Sequence, residues 1–147
     1  RKALPLLGAD PFLVCNIDSV WEEPAGSAIA RLVAGYDRAR MGARLMLAAR
    51  ADCLGFDGAG DFFLAADGTL ARRGAAQAAP WAYMGVHLCD PDTIAGEPIE
   101  PFSLNRVWSR LIDEGQLHGA PLGGFWMHVG DPRAREEAEA LLSAGLA

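Results

Sequence analysis

Phe12-Leu13-Val14-Cys15-Asn16-Ile17-Asp18 is the stretch that decides how this chain folds. A short continuous apolar run follows Pro11 and gives way to polar residues at Asn16. That pattern predicts a strand buried on both faces. Outward from it, Ser27 to Arg40 carries Ile29, Leu32, Val33 and Tyr36 at helical spacing, with Ser27 placed as the N-cap and Gly42 as the break. Arg44-Leu45-Met46-Leu47-Ala48-Ala49 then reads as a second buried strand. Strand, helix, strand in that order predicts a parallel βαβ crossover and an α/β class of fold.

The middle of the chain changes character. Phe62-Phe63-Leu64-Ala65, Asp67-Gly68 and Thr69-Leu70-Ala71 predict a hairpin with a tight turn. Gly55, Gly58 and Gly60 before it predict a mobile loop, and residues 74–80 a linker. Ala82 to Leu88 is the next strand. Ser103 caps a helix carrying Leu104, Val107, Trp108, Leu111 and Ile112, which Gly115 ends. Leu117 to Leu122 and Phe125 to Val129 are short strands on either side of a turn at Gly123-Gly124. Asp131-Pro132 opens a last helix, with Asp131 as cap and the proline at the first helical position. Ala134, Ala138, Leu141 and Leu142 form its apolar stripe, and Gly145 closes it.

The second informative strand end is Trp126-Met127-His128-Val129-Gly130. In open α/β sheets, ligands sit just past the carboxyl ends of strands. Asp18 and His128 are therefore expected to face one site although 110 positions separate them. Asp18 reads either as a turn or cap residue or as a metal-binding carboxylate. His128 reads either as a core histidine bonded to backbone or as a ligand. An imidazole is a softer donor than a carboxylate, so such a pair accepts Mg²⁺ through water and phosphate oxygens and suits Mn²⁺ or Co²⁺ more than two acids would. Asn16, beside Asp18, is placed to hold a loop or touch a ligand. His87 and His118 show no ligand spacing and read as structural. Trp21, Trp81, Trp108 and Trp126 read as core or pocket wall.

Composition narrows the function classes. The 147 residues are 51% hydrophobic and 22% charged, with a formal net charge of −6, which fits one globular domain with a proper core. Lys2 is the sole lysine and the arginines are dispersed, so no basic patch points to nucleic acid. No apolar stretch is long enough to span a membrane. Cys15, Cys53 and Cys89 lack CxxC spacing. Cys15 and Cys89 lie in apolar runs, and buried free thiols in a reducing cytoplasm are expected. No GxSxG, internal repeat or sustained heptad is present, so the oligomeric state is left open. Arg1-Lys2-Ala3-Leu4-Pro5-Leu6-Leu7-Gly8 reads as the last turns of a helix stopped by Gly8, from which residues 1–147 are expected to be the back part of a longer chain.

Taken together, these motifs resemble the sugar-1-phosphate nucleotidyltransferases. The likeness is to the bacterial branch acting on N-acetylmuramate 1-phosphate and related sugars, which includes uridylyltransferases and mannose-1-phosphate guanylyltransferase-like chains. It is carried by Lys2 to Gly8, Pro11 to Asp18, Gly60-Asp61-Phe62, Tyr83-Met84-Gly85-Val86, Phe102-Ser103-Leu104, and Gly124 to Pro132 with the Ala-Glu-rich helix to Leu142.

The resemblance implies a Rossmann-like open mixed sheet flanked by helices, of the nucleotide-diphospho-sugar transferase type. Here it is the C-terminal part of a single domain without its N-terminal nucleotide-binding portion. It implies transfer of a nucleotidyl group from an NTP to a sugar 1-phosphate with Mg²⁺, in the cytoplasm and without a nucleic-acid or membrane partner. Asp18 matches the first metal-binding Asp of the family, and His128 stands where the second would be. Tyr83 and Gly85 are expected near the sugar pocket, with Asp61 at its rim. Three departures qualify it: the glycine-rich nucleotide loop is not in this sequence, Ile17 stands where the family has glycine, and His128 replaces an acid. The alternative is a non-catalytic nucleotide or sugar-phosphate binding module with a degraded metal site.

Overall fold

The computed structural model describes residues 1–23 and 26–145. In chain order the elements are α1 (Leu4–Leu7), β1 (Phe12–Cys15), β2 (Ser19–Glu22), α2 (Ala28–Ala34), β3 (Ala43–Ala49), β4 (Cys53–Leu54), β5 (Phe62–Leu64), β6 (Leu70–Arg72), β7 (Trp81–Cys89), α3 (Asp92–Ala95), α4 (Leu104–Asp113), β8 (Leu117–Pro121), β9 (Phe125–His128) and α5 (Pro132–Ser143). They form an open mixed sheet in the order β6-β5-β7-β3-β8, with β1 also on β7, and a small second sheet, β2-β9-β4.

β7 is the central strand. Ala82, Met84, Val86 and Leu88 point to one face and pack with Ala28 and Leu32 of α2 and with Trp126. The other face packs Leu45, Leu47 and Phe62 against Val107, Trp108 and Leu111 of α4. This two-sided burial explains why β3 and β7 read as near-continuous apolar runs. The caps are as the residue types predict: the Ser27, Ser103 and Asp131 side chains accept from the N–H groups of Ala30, Asn105 and Ala134. The hairpin is present too, and Asp67 Oδ1 accepts from both the N–H and the hydroxyl of Thr69.

Several expectations are corrected. β1 is not buried on both faces. It pairs with β7 alone, Leu13 and Cys15 are exposed, and Cys15 is therefore not a buried thiol, whereas Cys89 is. The expected parallel crossover is present, since β1 and β3 run in the same direction in one sheet, with β7 between them antiparallel to both. The parallel neighbours are β3 and β8, joined across the sheet. α2 stops at Ala34, short of Arg40. Arg44 reaches back from β3 to donate to the carbonyls of Arg31 and Leu32, and a Cβ at Gly35 would run into that guanidinium. β2 and α3 were not foreseen. The glycines at 55 and 60 permit close approach: a Cβ on either would strike the carbonyl oxygen of His128 or of Ala79. Among the described residues no helix is long and apolar enough to cross a membrane.

The topology leaves one opening. β3 runs along one whole edge of β7, from Cys89 to Trp81. The other edge is shared. β5 takes the Trp81 end and β1 takes Val86 to Cys89, so from Ala82 to Gly85 that edge has no strand. The sheet forks there.

Candidate active site at the fork of the sheet

Side chains from both arms of the fork close over the free edge of β7. On one arm Asp61 Oδ2 accepts from the N–H of Tyr83 at 2.9 Å. On the other, the N–H of Asn16 donates to the carbonyl of Gly85 at 2.9 Å. Gly85 has φ +78°, and a Cβ there would stand 2.7 Å from the Asn16 amide, so the position requires glycine on both counts. The second sheet is fastened to the same edge through Ser19, whose hydroxyl donates to the Met84 carbonyl at 2.6 Å and accepts from Trp126 Nε1 at 2.9 Å.

This fastening brings the two sequence-predicted strand ends together. Ser19 pairs with His128 across β2 and β9, and the N–H of Val129 donates to the Asp18 carbonyl at 2.9 Å. The Asp18 carboxylate Oδ2 then lies 3.4 Å from His128 Nε2. Asn16, Asp18, Tyr83, Gly85, Trp126 and His128 line a cavity of about 140 Å³. Of the predicted site residues, Asp61 alone is outside it. Its carboxylate is held by the Tyr83 N–H, and it lines a neighbouring cavity that Tyr83 also borders.

The orientation of His128 is set from behind. Nδ1 lies 3.2 Å from the Gly55 carbonyl, which can only accept, so Nδ1 carries the hydrogen. In the neutral ring Nε2 then presents a lone pair to Asp18. Two acceptors facing each other at 3.4 Å call for a shared proton or a shared cation. Gly130 keeps that space open, since a Cβ there would stand 3.0 Å from Nε2 and 3.4 Å from Asp18 Oδ2. Both side chains are a little over one-third exposed, so further donors can enter. Among the described residues no third His, Cys, Asp or Glu completes a metal cluster. One carboxylate and one imidazole fit a cation that takes its remaining oxygens from water and phosphate, as Mg²⁺ commonly does.

Beneath the fork, Tyr83 is anchored by its hydroxyl, 2.6 Å from His87 Nδ1, and His87 lies edge-to-face against Trp108 at 5.0 Å. His87 is fully buried, and burial pushes its pKa down to about 4. Burial likewise pushes the Tyr83 hydroxyl up, so this pair is uncharged at neutral pH. The consequence for stability has a definite sign. The unfolded chain protonates this histidine near 6.5 and the folded chain only near 4, so between those values the unfolded state binds more protons. His87 should therefore leave stability unaffected above pH 6.5 and remove up to roughly 3 kcal/mol as the pH falls to 4. Denaturation midpoints from pH 7 to 4 should fall less steeply in His87→Gln than in wild type; equal slopes would assign the acid sensitivity to other groups.

Sequence reasoning brought Asp18 and His128 to one place, as the structure does, but missed what holds them there. Ser19, Gly55 and Gly130 act through close approach and backbone contact, which no local pattern encodes. The contact of Phe56 with Trp126, ring centroids 5.5 Å apart, beside that of Trp126 with His128 at 5.7 Å, also depends on pairing distant segments.

No family model matches the chain. Among solved structures its fold is that of the sugar-phosphate nucleotidyltransferases. The UTP-bound UGPase of Acinetobacter baumannii superposes with a TM-score of 0.72 at 20% identity, over 98% of this chain and 54% of that one. A glucose-1-phosphate thymidylyltransferase of Bacillus anthracis, described as putative and complexed with sucrose, gives 0.71 at 15% identity, over 95% and 57%. By sequence the chain is related to N-acetylmuramate alpha-1-phosphate uridylyltransferase of Caulobacter vibrioides, at 47% identity over 143 residues. That match covers 97% of this chain and 59% of the relative, so the chain spans well under two-thirds of the relative's length. The resemblance drawn from the residues and the nucleotide-diphospho-sugar transferase fold both hold.

Proposed function

We propose that this chain forms the sugar-phosphate and metal-binding side of an enzyme that transfers a nucleotidyl group from an NTP to a sugar 1-phosphate, giving an NDP-sugar and pyrophosphate. The observation that carries the reading is the convergence of Asp18 and His128 in the fork, with Gly130 leaving room between them for a cation. Asp18 and His128 would hold Mg²⁺, or Mn²⁺ or Co²⁺ given the imidazole. When bound, such an ion offsets the repulsion between two anionic reactants and the charge building on the α-phosphate. The Asn16 amide and the bare Gly85 backbone shape the floor, Tyr83 forms the wall toward the sugar, and Asp61 stiffens that wall through the Tyr83 N–H. Within this arrangement the sugar phosphate oxygen attacks the α-phosphorus in line and pyrophosphate departs. The relative's name suggests UTP as donor and an N-acetylmuramate-type acceptor. Because the chain spans 59% of that relative's length, the relative's activity comes to it as a proposal.

His128 supports a second reading. Where the family has an acid, an imidazole weakens a hard-cation site, so the fold would persist as a nucleotide or sugar-phosphate sensor. One assay separates the two. Full-length protein is given Mg²⁺ or Mn²⁺, each of the four NTPs and a panel of sugar 1-phosphates, and pyrophosphate release is followed. Release by wild type is the expected outcome. Silence in wild type with release restored in His128→Asp would move the protein to the sensor reading.

A further inference from the structure

β7 does not keep step with β3. Leu45 pairs with His87 and Leu47 with Tyr83, so β3 covers in two residue steps what β7 covers in four. Fully extended, Tyr83 and His87 would stand about 13 Å apart along the strand, whereas the pairing with β3 draws them to about 7 Å. The surplus is taken up as a bulge at Met84-Gly85-Val86, where Gly85 has φ +78°. The shortened step is what lets the Tyr83 hydroxyl meet His87 Nδ1 at 2.6 Å. This hydrogen bond is a strut across the bulge, and its ends are fixed. The Tyr83 N–H donates to Asp61 Oδ2, and Trp108 stands edge-on to His87 at 5.0 Å and to Tyr83 at 6.4 Å.

The bulge in turn holds Asp18. The Gly85 carbonyl accepts from the Asn16 N–H at 2.9 Å, and the Met84 carbonyl accepts from the Ser19 hydroxyl at 2.6 Å. Asn16 precedes Asp18 by two residues and Ser19 follows it, so the carboxylate is carried on a short span gripped by the bulge at both ends. Ser19 also pairs with His128. A change in the shape of the bulge therefore moves that span, and with it the 3.4 Å gap between Asp18 and His128. Histidine is a poor choice for this place on stability alone. His87 is fully buried, and its Nε2 has no hydrogen-bond partner among the described residues. Leaving a buried polar atom unpaired costs free energy that an apolar side chain would not.

We propose that His87 is a positioning residue: hydrogen-bonded to Tyr83 across the bulge of β7, it sets where Asp18 stands relative to His128. The inference rests on the reading of Asp18 and His128 as a cation site and deepens it by naming the buried pair that holds the geometry of that site. Groups one step removed from a metal ligand commonly change metal affinity or activity by about 10- to 100-fold.

The test sets function against stability in the full-length protein. The double variant Tyr83→Phe/His87→Leu removes both ends of the strut and leaves apolar groups of similar shape. His87→Asn keeps an acceptor where Nδ1 stands but leaves a cavity. The double variant should melt at or above the wild-type temperature, and His87→Asn below it. Function should rank the other way. In the double variant Mn²⁺ alone should bind about 10-fold more weakly by calorimetry, and kcat for pyrophosphate release should fall about 30-fold with little change in KM. His87→Asn should recover most of both losses. The Asn16 and Val129 amide hydrogens should exchange faster in the double variant than in wild type. If the double variant does not fold, Tyr83→Phe alone decides through the same Mn²⁺ and exchange readings. Mn²⁺ affinity or amide exchange that stays at the wild-type value overturns the proposal, as does function that follows stability. Equal turnover by wild type and the double variant would sink the strut and leave nucleotidyl transfer standing. Exchange and Mn²⁺ affinity that respond as expected, with no sugar turned over even by wild type, would do the reverse.

Discussion

Asp18→Ala should lower pyrophosphate release by the full-length protein about 1000-fold, while its melting temperature changes little. The two halves of this expectation have separate physical origins. The backbone at position 18 accepts from the Val129 N–H, and an alanine keeps that bond, so the junction between β2 and β9 survives. The side chain supplies the only carboxylate of the pair facing the fork cavity. Without it His128 Nε2 has no partner across the 3.4 Å gap, and the charge that would hold a cation is gone. An interaction that stabilises transition-state charge is worth several kcal/mol, and about 4 kcal/mol corresponds to three decades in rate. Asp18→Asn, of the same shape without the charge, should be nearly as inactive. A variant retaining more than a tenth of wild-type turnover would show that the carboxylate is a turn residue and that the chemistry lies elsewhere.

That pair was legible because strand ends are a local signal. The apolar run into Asn16 and the one into His128 each mark a carboxyl end, and the general rule for open sheets suggests one crevice for both, although here β9 belongs to the small sheet and the two ends meet through its pairing with β2. What failed was everything that depends on the identity of the neighbouring strand. Phe12-Leu13-Val14-Cys15 is apolar at every position, so nothing in it distinguishes a buried strand from one at an edge. Its pairing with β7 alone, more than 70 residues further along, turned Leu13 and Cys15 outward. Ser19-Val20-Trp21-Glu22 is too short and too polar to declare itself, and it becomes a strand by pairing with β9. Asp61 was expected at the rim of the sugar pocket, but its reach to the Tyr83 N–H depends on β5 leaving β7 after a single residue pair. Arg72-Arg73 has the look of a solvated charge pair at a hairpin end. Only the docking of α4, which supplies Asn105 and Ser109, gives Arg72 a fixed direction.

Trp126→Ala should cost about 4 kcal/mol of stability, and Trp126→Phe about 1 kcal/mol. Trp126 is 2% exposed and packs with Met84 and Leu122 in the core on the α2 side, its ring 5.5 Å from that of Phe56 and 5.7 Å from that of His128. Truncating a buried tryptophan loses the transfer free energy of the ring and leaves a cavity that the surrounding sheet only partly fills, typically 3–5 kcal/mol. Phenylalanine keeps most of the apolar contact but removes the indole N–H that donates to Ser19 Oγ. Ser19 still donates to the Met84 carbonyl, so the loss is near that of one hydrogen bond, about 1 kcal/mol. Urea titrations of the three proteins measure these differences directly if their slopes agree. The alanine variant has a second consequence, because Trp126 is at once a member of the large core and the neighbour of His128 in β9. Loosening it frees the small sheet to shift against the fork, and the 3.4 Å approach of His128 to Asp18 depends on that contact. Pyrophosphate release should therefore fall more in Trp126→Ala than in Trp126→Phe, even at temperatures where both are folded. Equal stability losses in the two variants would mean that the indole hydrogen bond, and not ring packing, holds the two sheets together.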